Sequence, residues 1–203
     1  SHSANLTSLV SFMEMSDDEE EKEKMFQMLK SSTGQLEETI MNLNEIITVN
    51  QSLNKPVEKR KVSDEVQKTL QILNSEIHEL GIQITTDIPK NVEVSVIPAY
   101  LDSILLNLIS NAIKYRRPEV IAEINIKAVR KRSQVQIFIA DNGLGIDMAT
   151  HRDKIFGMYN TFHTNEDAVG IGLFLTKNQI EAMNGTIAVE STVDQGTTFK
   201  IKF

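Results

Sequence analysis

Cysteine is absent from all 203 residues. That removes disulfides, thiolate catalysis and cysteine metal sites together, and it fits a reducing compartment. No uninterrupted apolar run approaches the roughly 20 residues that a bilayer-spanning helix needs, and no signal peptide leads the chain. The expectation is a cytoplasmic protein with no direct membrane contact in this segment. An excess of positive charge is missing too: 21 Lys and Arg stand against 28 Asp and Glu, a net charge of −7, with a pI near 5.2. A nucleic-acid binder would show a basic face, so no nucleic-acid partner is expected. The chain also has no initiator methionine and opens inside a helical pattern, which suggests a piece of something longer.

What is present suffices for a core: 40% of the residues are hydrophobic, and the length suits one sizeable domain plus a smaller element. The smaller element comes first. Leu6, Leu9, Val10 and Met13 recur at helical spacing, and residues 16–23 form an acidic run that reads as a solvated turn and helix start. Met25, Leu29, Leu36, Ile40, Leu43 and Ile47 then follow in steps of three, four and seven, a seam that wants a partner helix. Such a hairpin has too little core alone. Residues 1–54 are therefore expected to pair with a second copy into a four-helix bundle, the alternative being a hairpin packed on its own globular domain.

Residues 55–203 read as that globular domain. Ser63 is the expected N-cap of a helix carrying Val66, Leu70, Leu73, Ile77 and Leu80 inward, with Gly81 at its end and His78 solvated on its flank. Short strands are expected over 82–88 and 92–96. A helix from Pro98 to about Tyr115 follows, then strands over 122–129 and 134–140 joined by a basic turn at 130–133. A short helix near 150–156, an irregular stretch, a helix to about Met183 and two final strands complete the chain. Helices interleaved with hairpins point to an α+β sandwich, a mixed sheet covered by helices on one face.

Three places carry chemistry. On the helix ending at Tyr115, Asn107 and Asn111 are four apart and Lys114 is three further, so all project to one side, while Leu101, Leu105, Leu108 and Ala112 face the other. An amide oxygen is a hard neutral ligand suited to Mg²⁺ that also takes phosphate and water. Asn111 in mid-helix needs a reason. Asp141 ends an apolar strand just before Asn142 and Gly143, so it is either a turn former or an acceptor for a ligand's N–H, such as the amine of adenine. Gly170 and Gly172 open a helix, whose free N–H groups can seat phosphate. Neither a Walker loop nor a Rossmann fingerprint is present.

In this order and spacing the three pieces resemble the ATP-binding domain of sensor histidine kinases, the gyrase-like (Bergerat) fold. Residues 107–115 look like its N box, 141–147 its G1 box, 155–159 its F box and 169–175 its G2 box; residues 196–199 are similar to its closing strand. The resemblance implies that Asn111 holds Mg²⁺ against the triphosphate of ATP, with Asn107 and Lys114 near the phosphates and Tyr115 flanking the nucleotide. Asp141 would receive the adenine amine, Gly143 and Gly145 would shape the pocket, and Thr197 would help hold Asp141 or a water. Gly170 and Gly172 would give the lid hinge and phosphate contacts, with Leu173 also at the nucleotide. The lid itself, residues 160–169, is short, and Glu166 and Asp167 stand where relatives often carry bases; His163 is its one potentially cationic side chain, with a minor role.

The hairpin is similar to the dimerisation and phosphotransfer domain of the same kinases. In one branch the acceptor helix reads approximately His-Asn-Leu-Arg-Ser-His-x-Ala-Asn, and residues 1–6 fit its tail. His2 is then the second, non-phosphorylated histidine and the acceptor lies upstream of residue 1. The competing readings make His2 a tag residue or the acceptor itself. The resemblance implies an ATP-dependent protein histidine kinase, dimeric through the hairpin, that phosphorylates a histidine and passes the group to the receiver domain of a response regulator. Rivals are a nucleotide-binding regulatory or phosphatase-biased relative, an anti-sigma-type serine kinase, which would lack the hairpin, and a structural dimeric module, which would bind no ATP.

Overall fold

The computed structural model describes residues 8, 10–13, 15, 18, 20–34, 56–152, 154–157 and 171–203. Most of the expected hairpin, with Leu36, Ile40, Leu43 and Ile47, lies outside these. Within them residues 20–34 are helical, and Asp18 Oδ1 accepts the Glu20 N–H at 2.9 Å. The acidic run does start a helix, whose dipole favours negative charge there. Met25 and Leu29 of the expected seam are half-buried.

From residue 58 the elements are β1 (Glu58–Lys61), α1 (Val62–Ile72), α2 (Asn74–Glu79), β2 (Gln83–Asp87), β3 (Glu93–Val96), α3 (Pro98–Lys114), β4 (Glu123–Lys131), β5 (Gln134–Asp141), α4 (Met148–His151), α5 (Gly172–Ala182), β6 (Thr186–Thr192) and β7 (Gly196–Lys202). Strands β2-β4-β5-β7-β6 form a five-stranded sheet, and β1 and β3 form a separate antiparallel pair. Only β2–β4 runs parallel in the large sheet. The α+β expectation of a mixed sheet with helices on one face holds.

Alternation explains which face is covered. Ile124, Ile126 and Ala128 on β4 and Val135, Ile137 and Ile139 on β5 are buried, together with Phe199 and Ile201 on β7. Against them lie Leu101, Ile104, Leu105, Leu108, Ile109 and Ile113 of α3. The other face carries Lys127, Phe138 and Lys200 in one row across β4, β5 and β7. Because Leu105 is fully buried, Leu105→Ala should cost about 2–5 kcal/mol. A urea titration followed by circular dichroism would read this as a lower midpoint with unchanged slope.

Three sequence expectations need correction. Ser63 is not the N-cap: the helix begins at Val62 after Lys61, and the Val62 N–H is taken by Val92 O at 3.0 Å. The strand ladder thus runs on into the helix and satisfies a donor that a cap would have served. Ser63 Oγ turns instead to Asp64 Oδ1, 2.9 Å away. The helix also breaks at Leu73, just before Asn74 and Ser75, residues whose side chains compete with the helical backbone. Leu80, expected inward, is 37% exposed as a result. The short helix expected over 150–156 covers Met148–His151, because Asp147 caps it. Strands β2 and β3, adjacent in sequence, belong to different sheets, and β1 had no alternation to reveal it.

Candidate nucleotide site

Helix α3 carries the first part of the site. Pro98 occupies its first turn, where the missing N–H costs no hydrogen bond, and its apolar stripe sinks into the sheet. The opposite side therefore presents Asn107, Asn111 and Lys114, all half-buried. Asn107 Nδ2 donates to Thr176 Oγ1 at 2.7 Å, and Asn111 Nδ2 donates to Asn107 Oδ1 at 3.4 Å. Asn111 Oδ1 accepts no hydrogen bond among the described residues, so an oxygen ligand stands free for a cation. The described residues hold no group of three His, Asp or Glu that could bind a metal. A hard cation here would fit one amide oxygen plus phosphate and water, the ligand set Mg²⁺ accepts.

At the far end of α3, Tyr115 is the C-cap. Lys114 Nζ lies 5.9 Å from the centroid of its ring. The Tyr115 carbonyl accepts the Leu144 N–H at 2.9 Å. This draws the loop after β5 against the helix so closely that a Cβ on Gly143 would collide with Tyr115 O. Gly145 has φ +66°, and its own Cβ would meet Thr192 O; only glycine suits both constraints.

Asp141 hangs between these walls. Its Oδ1 accepts the Gly143 N–H at 2.9 Å and the Thr197 N–H at 3.1 Å. Oδ2 takes no hydrogen bond among the described residues. Burial pushes the carboxyl above its ordinary value, and the two backbone donors pull partly back. The Thr197 hydroxyl meets Ser191 Oγ at 2.8 Å, while Ser191 Oγ accepts the Ile146 N–H at 2.7 Å. Asn142 braces the loop from outside: its amide donates to Ile121 O and accepts from Glu123 N–H, both at 2.9 Å. Arg117 Nε donates to Asn142 O at 3.1 Å.

The third wall is the start of α5. A Cβ on Gly172 would lie 2.5 Å from Asn107 Oδ1, so the residue's smallness admits the amide. Leu173 packs on the core, as does Phe156 beside the buried Ile155. Contacts join Asn107 to Asn111 and to Gly172 along α3, and Lys114, Tyr115, Gly143, Asp141 and Thr197 at its C-terminal end, while Gly145 abuts Thr192 and Leu173 follows Gly172 onto the core. His2, His163 and Gly170, with the whole of the expected lid at 160–169, lie outside the described residues. Thr176 and Ser191 carry structural weight that no motif signalled, since their partners are distant in sequence.

Comparison with known proteins shows the family and the fold. Residues 97–203, more than half of the chain, match the model of the histidine kinase-, DNA gyrase B-, and HSP90-like ATPase family, and the chain belongs to that family. Relatives with named histidine kinase activity are among its matches. The signal transduction histidine-protein kinase ArlS of Staphylococcus aureus is 29% identical over 185 residues, covering 89% of this chain and 39% of that protein. Cyanobacterial phytochrome A of a Nostoc species is 36% identical over 141 residues, 68% of this chain and 18% of that one. The chain therefore spans well under half the length of these curated relatives. In fold, the Acinetobacter baumannii histidine kinase AdeS aligns with a TM-score of 0.78 at 20% identity, over 100% of this chain and 94% of that one. Full-length ShkA in complex with AMPPNP aligns at 0.68 and 20%, over 91% of this chain and 39% of that one. No helix among the described residues is long and apolar enough to cross a membrane.

Proposed function

We propose that residues 55–203 are the Mg-ATP-binding domain of a cytoplasmic sensor histidine kinase, and that residues 1–54 are its dimerisation and phosphotransfer hairpin. The observation that carries this reading is the Asp141 carboxylate, with one oxygen saturated by backbone donors and the other left for the exocyclic amine of adenine. Gly143 and Gly145 let the base approach the backbone. Lys114 and Asn107 face the phosphates, Tyr115 flanks the nucleotide, and Asn111 is the protein's ligand to Mg²⁺. The bound cation supplies charge neutralisation on the triphosphate; the chain's own groups hold and orient the nucleotide. Gly170 and Gly172 hinge a lid in which His163 has a minor role. The acceptor is a histidine upstream of residue 1, and neutral imidazole near pH 7 is a suitable nucleophile. A receiver-domain aspartate of a response regulator then takes the phosphoryl group.

ATP titration by calorimetry, with Mg²⁺ and with EDTA, tests the reading. Asn111→Ala should abolish the gain in affinity that Mg²⁺ confers and leave binding in EDTA unchanged. Equal affinities for wild type and variant in Mg²⁺ would remove Asn111 from the metal site and the assignment with it.

A further inference from the structure

The contact between α3 and α5 is unusually polar for its depth. Thr176 and Gln179 of α5 are 1% and 2% exposed, and each reaches across to α3: Asn107 Nδ2 meets Thr176 Oγ1 at 2.7 Å, and Gln179 Nε2 donates to Ser103 Oγ at 3.0 Å. Apolar residues would fill this seam at lower desolvation cost, so the hydroxyl at position 176 calls for an explanation.

We propose that Thr176 is a positioning residue that determines which atom of Asn111 faces the cation. This rests on the assignment of Asn111 as the Mg²⁺ ligand. An asparagine amide has two ends of similar shape and opposite polarity: Oδ1 binds a cation and Nδ2 repels one. Helix geometry alone does not choose between them. Thr176 Oγ1, held on a neighbouring helix, takes the Nδ2 end of Asn107 and so directs the Oδ1 of Asn107 toward Asn111. That oxygen accepts Asn111 Nδ2, which turns the Asn111 oxygen outward. At 3.4 Å the second bond is loose, so the relay biases Asn111 rather than locking it. Gly172 keeps the path open, since a Cβ there would press on Asn107 Oδ1. The helix that follows the lid thereby touches the metal ligand through one intervening side chain.

Thr176→Val keeps the shape and removes the hydroxyl. Calorimetry should show the Mg²⁺-dependent gain in ATP affinity falling about fivefold, roughly the loss of one net hydrogen bond, with affinity in EDTA unchanged. In nucleotide-free protein, the side-chain ¹⁵N–¹H₂ signals of Asn107 should shift and exchange faster with solvent. Thr176→Ser should restore both readouts. Thr176→Ala carries the same expectation as the valine variant and serves if that variant fails to fold. Ser103→Ala breaks the neighbouring interhelical bond without touching Asn107, and should leave the Mg²⁺ effect intact. A full Mg²⁺ effect in the folded valine or alanine variant, or an equal loss in Ser103→Ala, would overturn the positioning role. If Asn111→Ala still abolishes the effect in that case, the ATP assignment survives alone. No Mg²⁺ effect in wild type would overturn both.

Discussion

Asp141→Asn should cost about a hundredfold in ATP affinity while leaving the protein at least as stable as wild type. The two effects come from the two oxygens. Asparagine can keep its Oδ1 on the Gly143 and Thr197 N–H groups, so the loop need not move. Its Nδ2 then points where Oδ2 was, and a donor meets the donor of adenine. Losing a hydrogen bond to a charged acceptor and burying an unpaired N–H together amount to about 3 kcal/mol, or roughly a hundredfold. GTP, which presents a carbonyl where ATP has its amine, should lose far less. A competition titration of the variant with both nucleotides would decide it; unchanged discrimination would show that Asp141 does not read the base.

Stability should move the other way, and with a defined pH dependence. Burial raises the carboxyl's folded value above its unfolded one, so this group favours folding below the unfolded value. That contribution is lost as pH rises through the raised folded value. The neutral asparagine has no such loss. Variant and wild type should therefore be closest in stability at low pH, with the variant's advantage growing as pH rises and then levelling off. Denaturant midpoints measured from acid to neutral pH would show it.

Gly143→Ala should be among the most damaging single-atom additions in the domain. The new Cβ meets Tyr115 O and lies 2.9 Å from Asp141 Oδ1. The carbonyl cannot retreat, because it holds the Leu144 N–H at 2.9 Å. Overpacking against fixed backbone costs about 1–3 kcal/mol, a fall of roughly 2–12 °C in melting temperature for a domain of this size. Displacing the loop should also abolish ATP binding. Gly81→Ala is the comparison: φ is +64° but nothing lies within 4 Å of the added Cβ. It should lose only about 1 kcal/mol from backbone strain and bind ATP normally. Matching losses of binding in the two variants would show that loop crowding is not the cause.

Much of this was legible along the chain because it is local. The stripe of Leu101, Leu105, Leu108 and Ala112 fixed which side of α3 is buried and therefore which side shows Asn107 and Asn111. The turn at Asp141, Asn142 and Gly143 was readable as a carboxylate capping its own loop. What could not be read depends on distant partners. Strand β1 is a string of charged residues with no period of two, and only its pairing with β3 makes it a strand. The start of α1 is set by Val92 O, thirty residues from the donor it satisfies. Thr176 and Ser191 look like ordinary polar residues of a helix and a strand until α3 and β7 are placed beside them.

The order of the large sheet has a consequence for synthesis. Strand β7 follows β6 in sequence but sits between β5 and β6, and it is β7 that brings the Thr197 N–H to Asp141. While the polypeptide is still being made, everything up to Thr192 can emerge with a gap in the middle of its sheet and a buried acid short of one donor. A nascent chain stalled before residue 197 should not retain adenine nucleotide, however much of its helical layer has already collapsed.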